Sequence, residues 1–234
     1  MDIGRSFTFM FDDEKWVEKL AIGGLLVLAS IIPLVNLFTG LVLVGYCLRL
    51  LQNVAEGDES PLPAWDDWGG DWTKGLMVAL AGLIYSIPVI LIAIFTSIVS
   101  AVGDYGSARE IEGFLGVCVA GLSCISGLWG LAEAIVLPAA VIKYAQEGEF
   151  GSFFKFGDIF QFIGANLGNY VIALLLILVA RFISVFGLIA CVIGVFFTGF
   201  WSALASSHLL GQVKAQAAPA TVSAGTIEPP ASEV

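Results

Sequence analysis

The chain has 234 residues, of which 58% are hydrophobic and only 13% charged, and its mean hydropathy is +0.93. Soluble domains run near half apolar and a quarter charged, which excludes an ordinary soluble globule, a coiled coil and a disordered chain and leaves an integral membrane protein. The formal net charge of −10 provides neither a basic footprint for nucleic acid nor a polybasic patch for anionic lipid heads.

The first twenty residues carry Asp2, Asp12, Asp13, Glu14 and Glu18. A secretory signal opens with basic residues instead, so the apolar run from Leu20 reads as a retained anchor. The first apolar block, 16–51, is too long for one span and short for two. Pro33 and Asn36 interrupt it, and proline ends or kinks the helix before it. The reading is a hairpin with helices near 17–33 and 37–54. A helix over 76–102 follows, with Pro88 inside it and a Gly-Asp-Tyr-Gly turn signal at 103–106. The next spans 114–142, with Pro138 near its end. Two more, 170–186 and 188–210, are divided at Gly187.

The expected fold is therefore an all-α integral membrane protein of about six membrane segments arranged as three helical hairpins, covering 1–213. The alternative is four full spans plus a re-entrant first hairpin. Either count is even, so both termini share one side. Residues 214–234 are rich in Ala and Pro, lack apolar periodicity, and read as a solvated tail. Arg5, Lys15, Lys19, Arg49, Lys74, Lys143, Lys155 and Lys214 all fall on the side of the termini, and Arg109 alone falls in an opposite connection. The positive-inside rule places both termini in the cytoplasm.

Three segments that each precede a hairpin look alike: Phe11-Asp12-Asp13 with Trp16, Trp65-Asp66-Asp67-Trp68, and Phe156-Gly157-Asp158-Ile159-Phe160. They suggest a parallel threefold repeat of an interfacial segment followed by a hairpin. Aromatic rings favour the headgroup zone, so these pieces are expected on the cytoplasmic face as short amphipathic helices or turns. They read either as simple anchors or as a partner surface formed by Trp65, Asp66, Asp67, Trp68, Phe156 and Asp158. The carboxylates have no EF-hand spacing, and the four cysteines, Cys47, Cys118, Cys124 and Cys191, form no CxxC pair. No metal or cofactor is expected.

These residues resemble a known family. The opening Met1-Asp2-Ile3-Gly4-Arg5, Ile22-Gly23-Gly24, Gly45-Tyr46 before Arg49, Glu56-Gly57, residues 62–68 (Leu-Pro-Ala-Trp-Asp-Asp-Trp), 153–158 and His208-Leu209-Leu210-Gly211-Gln212 are similar to the prokaryotic membrane family catalogued as domain of unknown function 4013. The resemblance covers residues 1 to about 213. It implies a multi-pass helical protein of a prokaryotic plasma membrane with no assigned activity, and it brings no catalytic residues.

Ionisable residues within a bilayer are functional candidates by default. Glu133 and Arg181 qualify, each roughly 15 Å deep at 1.5 Å per residue when counted from Lys143 and Tyr170. They are expected either to pair or to be accommodated singly, with Arg181 snorkelling and Glu133 protonated. His208 reads as a hydrogen-bonded interfacial residue. Gly116, Gly121, Gly127 and Gly130 read as sites of close helix packing. No GxSxG, HExxH or P-loop sequence is present, so an enzyme is not expected. A partner-binding membrane scaffold is the first functional reading, and a small transporter or channel using Glu133 and Arg181 is the second.

Overall fold

The computed structural model describes residues 1–105, 109–189 and 193–217. Within them the protein is helical, without strands. The elements are α1 (Ile3–Thr8), a 3₁₀ turn (Phe9–Asp12), α2 (Trp16–Ala29), α3 (Pro33–Glu56), α4 (Trp68–Tyr105), α5 (Arg109–Glu147), a second 3₁₀ turn (Phe150–Phe154), α6 (Phe156–Ala165), α7 (Leu167–Val185), a third 3₁₀ turn (Phe186–Leu188) and α8 (Gly194–Ala217). The tail from 218 and Cys191 lie outside the described residues. Cys47, Cys118 and Cys124 are free thiols.

Local chemistry sets many of the boundaries. Asp2 caps α1 by accepting from the Arg5 N–H at 2.9 Å. Pro33 opens α3 at its first turn, where a missing N–H costs nothing. Gly57, at φ +86°, closes α3 in the left-handed conformation that glycine adopts freely. Asp67 caps α4 by accepting from the Gly70 N–H at 2.9 Å. Pro88 and Pro138 lie inside α4 and α5 without ending either helix.

Four helices, Pro33–Glu56, Trp68–Ala101, Leu115–Glu147 and Leu167–Leu188, are long and apolar enough to cross a membrane. The two remaining expected segments differ. At 14 residues, α2 extends only about 21 Å, against a hydrocarbon core of about 30 Å. At 24 residues, α8 is long enough but does not reach the same apolarity. The Gly-Asp-Tyr signal at 103–105 does not end α4, which runs through it; isolated glycine in a strongly helical stretch costs only about 1 kcal/mol. The division at Gly187 is present as the third 3₁₀ turn.

The chain forms two compact units, Met1–Gly75 with Phe160–Val234, and Leu76–Ile159. In the first, α8 packs against α2, α3 and α7. Its core gathers Phe9, Met10, Tyr46, Leu50, Val54, Leu62, Phe200 and Leu204, with Trp16, Leu20, Trp65 and Trp201 packed around them. Phe9 thus lies inside protein, while Phe11, in the first of the three similar segments, remains exposed. Glycines set the close crossings. A Cβ on Gly45 would land on the Asp71 carbonyl oxygen, and one on Gly75 on the Leu41 carbonyl oxygen. In the second unit, Tyr144 stacks on the buried Phe153 at 4.6 Å, and the Tyr85 hydroxyl donates to the Phe153 carbonyl at 2.6 Å.

Candidate functional site

The segment leading into α4 contains Pro61 and Pro63, which have no N–H to donate. Its carbonyls remain and require donors. Five consecutive carbonyls receive one each from a side chain. Asn53 Nδ2 donates to Pro61 (3.0 Å), Lys19 Nζ to Leu62 (2.8 Å), the Tyr46 hydroxyl to Pro63 (2.7 Å), Arg49 Nη2 to Ala64 (2.8 Å), and Trp68 Nε1 to Trp65 (3.0 Å). Trp65 in turn donates from Nε1 to the Lys19 carbonyl at 3.2 Å and stacks on Tyr46 at 4.0 Å. Four of the five donors come from α2 and α3, so each carbonyl of this irregular segment has a donor as it would in a helix.

Arg49 is the hub of this bracing. Besides the Ala64 carbonyl, its guanidinium reaches Asp66 Oδ1 and Asp71 Oδ2, both at 2.8 Å. The Asp71 side chain is 1% exposed, whereas that of Asp66 is 70% exposed. Hydrogen bonding from Arg49 holds the Asp66 carboxyl below its ordinary value of 3.8. Arg49 Nε and Asp71 Oδ1 are buried without a hydrogen-bond partner, so this ion pair carries an uncompensated desolvation cost. Lys19 also pairs with Asp13 at 2.6 Å.

The residues read as a partner surface thus separate by role. Trp65 is half-buried and serves the packing of the first unit, while Asp66, Asp67 and Trp68 point outward. Phe156 and Asp158 are exposed in the second unit, where Phe156 meets the edge of Tyr85 at 5.9 Å and Asp158 lies 3.5 Å from Lys143. The three similar segments take different forms: a 3₁₀ turn around Phe11, an irregular turn at 65–67, and the start of α6. What they share is an aspartate paired with a basic residue, Asp13 with Lys19, Asp66 with Arg49 and Asp158 with Lys143.

Glu133 belongs to the second unit and Arg181 to the first. Half-buried on α5, Glu133 accepts from the Ser86 hydroxyl at 2.8 Å. One turn earlier on the same helix face, Trp129 Nε1 donates to the Tyr85 carbonyl at 2.9 Å. Tyr85 precedes Pro88 by three positions, on the turn whose hydrogen bonding a proline weakens. The indole thus bonds the carbonyl next to that of Ile84, the one that Pro88 leaves without its helical donor. Arg181 is exposed, four residues before the end of α7. His208 is buried and hydrogen-bonded, with Nδ1 3.0 Å from Ser6 Oγ and its ring stacked on Phe9 at 4.3 Å. It borders an open cavity of about 220 Å³ together with Asp2, Arg5 and Gln212.

Sequence reasoning used Arg49 as a topology marker and as part of the family resemblance, read Asp71 with Asp66 and Asp67 as a solvated carboxylate, which its burial at 1% exposure corrects, and overlooked Ser86 and Trp129. The paired prolines at 61 and 63 are the signal that points to the bracing, since they leave carbonyls in search of donors. Among the described residues, no group of three or more His, Cys, Asp or Glu is placed to hold a metal ion.

Residues 25–197 match the family described as a protein of unknown function, DUF4013, and the chain belongs to that family. No curated protein and no solved structure matches the chain.

Proposed function

We propose that this protein is a non-enzymatic, multi-pass membrane scaffold that presents a fixed acidic and aromatic surface to a protein partner at the inner face of a prokaryotic plasma membrane. The observation that supports this reading is the bracing of residues 61–65. Side chains from α2 and α3 supply four of the five donors to that segment, while Asp66, Asp67 and Trp68, each fixed by a bond of its own to Arg49, the Gly70 N–H and the Trp65 carbonyl, remain exposed. A rigid segment displaying exposed carboxylates and an indole loses little conformational entropy on binding. In this reading the six segments form three hairpins, α2 with α3, α4 with α5, and α7 with α8, and both termini are cytoplasmic. A reporter fused at Val234 is then cytoplasmic, and a cysteine at Gly106 is labelled from outside.

The test is affinity purification of the full chain in mild detergent, comparing wild type with Trp68→Ala and with Asp67→Asn. A specific co-purifying protein that is lost in both variants, at unchanged membrane levels, supports the reading. Retention of the same partners in both variants rejects this surface.

A second reading, a small transporter or channel, rests on Glu133 and Ser86 lying between two proline-containing helices. In that reading Glu133 and Arg181 share a polar cavity. Loss of function in Glu133→Gln or Arg181→Leu with normal membrane levels favours it over the scaffold.

A further inference from the structure

We infer that the tip of the α2–α3 hairpin ends inside the hydrocarbon core, in contact with lipid acyl chains, and does not emerge on the far side. The inference rests on the membrane reading above and goes beyond it by fixing where the first hairpin stops.

The argument begins at the wet end of the hairpin. Lys19 and Arg49 are tied to the Leu62 and Ala64 carbonyls, beside the exposed Asp66 and Asp67. That places both arms at the water-facing level of this segment. From Lys19 to Ile32 is 13 residues, about 20 Å of helix, and from Arg49 back to Pro33 is 16 residues, about 24 Å. Neither arm covers a core of about 30 Å, and any tilt shortens the reach.

The tip has the surface expected of such a position. No Asp, Glu, Lys or Arg occurs between Lys19 and Arg49. Ile31, Ile32, Leu34, Leu37 and Phe38 all project outward, Leu34 at 85% exposure. A turn that reached the far headgroups would gain from charged or aromatic-polar anchors, and this one has none.

A turn in hydrocarbon must also satisfy its own backbone. The Ser30, Ile31 and Ile32 N–H groups bond to the Leu26, Leu28 and Ala29 carbonyls at 3.0–3.2 Å, and the Asn36 N–H bonds to the Ile32 carbonyl at 2.8 Å. Pro33 brings no N–H. The Ser30 and Thr39 hydroxyls lie 2.7 Å apart, so that one donates to the other and the acceptor donates back to its own helix, to the Leu26 carbonyl from Ser30 or the Val35 carbonyl from Thr39. These bonds satisfy part of the connection's backbone and tie the two arms together at the turn, while α3 itself begins without a side-chain cap.

The test is spin labelling in lipid vesicles of single-cysteine variants of the full chain, Leu34→Cys and Leu37→Cys, with Cys47, Cys118, Cys124 and Cys191 replaced by Ala. The reference positions are Leu91→Cys on α4, 61% exposed, and Asp58→Cys in the connection after α3. Collision with oxygen, which partitions into lipid, is compared with collision with a water-soluble nickel chelate. The expected result is that Leu34 and Leu37 follow Leu91, with oxygen dominant, and react with an impermeant maleimide from neither face. Nickel accessibility at Leu34 and Leu37 with oxygen dominance at Leu91 overturns the inference alone and makes the hairpin a full span. Aqueous behaviour at Leu91 as well overturns the membrane reading with it. Exclusion of both reagents at Leu34 and Leu37 shows that protein, such as a second copy, covers the tip, and rejects lipid as its occupant.

Discussion

The most apolar stretches of helices α3 and α5 have nearly the same mean hydropathy, 1.9 and 1.8, yet 44% of the first is buried in protein and only 17% of the second. The difference lies in small and polar residues and not in apolarity. Gly45 and Gly75 bring backbones into contact in the first unit, whereas Gly116, Gly121, Gly127 and Gly130 on α5 have no neighbouring atom within 4 Å of a built Cβ. The expectation of close helix packing at those four glycines is therefore not met among the described residues. Apolarity places a helix in a bilayer, but glycine contacts and bonded polar groups decide whether it faces protein or lipid.

The sharpest way to break this comparison is at Arg49. Arg49→Leu strands the buried Asp71 carboxylate, and removing one partner of a buried pair costs about 3–5 kcal/mol. Detergent melting of the full chain is expected to drop strongly, and Arg49→Leu with Asp71→Leu to recover much of the loss. A double variant as unstable as the sum of the singles refutes the pairing. Next in size is glycine. Gly45→Ala forces the α3 and α4 backbones apart and is expected to cost about 1–3 kcal/mol, while Gly121→Ala gains up to about 1 kcal/mol from helix propensity. Equal effects in thermal melts would erase the contrast between the units.

Smaller still is Asp13. Burial pushes its carboxyl up, but the Lys19 ammonium and the Lys15 N–H outweigh that and hold it below its ordinary 3.8. A depressed folded value contributes stability that is full above the ordinary value and lost as pH falls through the depressed one. Asp13→Asn is therefore expected to cost up to about 1 kcal/mol near pH 6, and the cost is expected to shrink as pH falls below the ordinary value of 3.8. A cost that does not shrink in acid would assign the residue a role other than charge. The least effect is expected at Ser86→Ala in the second unit, about 0.6 kcal/mol, the average for a hydrogen bond between membrane helices. Unchanged melting there leaves the Ser86–Glu133 bond without energetic weight.

Much of the fold is legible in the sequence because long apolar runs have few alternatives to a helix. Pro33 and Gly187 mark real boundaries for reasons of backbone geometry, although Pro33 opens α3 earlier than the expected start near 37. The ends of α4 and α5 are not legible, since turn signals such as Gly103-Asp104 compete weakly with a helix already under way. Glu133 is found by the cost of a carboxyl among apolar residues, but its partner Ser86 lies 47 positions away and leaves no periodic trace. Arg49 and Asp71 are 22 positions apart, and nothing in either neighbourhood names the other. Trp65 shows the limit of composition: the same indole suits a headgroup belt or a stack on Tyr46, and only packing separates the two.

The clasp between the two ends of the first unit has a consequence for biogenesis. The Asp2 N–H donates to Gln212 Oε1 at 2.8 Å, Gln212 Nε2 returns a bond to the Asp2 carbonyl at 3.0 Å, and Trp201 Nε1 donates to the Phe7 carbonyl at 3.3 Å. These partners are separated by 194 to 210 positions. At about 5–20 residues per second, α1 waits roughly 10–40 s after its own synthesis before α8 exists to receive it. Throughout that interval Phe9 and Met10 have no finished core to enter, and the nascent chain must be kept from aggregation by the membrane surface or a chaperone. A chain that ends before Gln212 therefore lacks both of the bonds that hold Asp2 to Gln212.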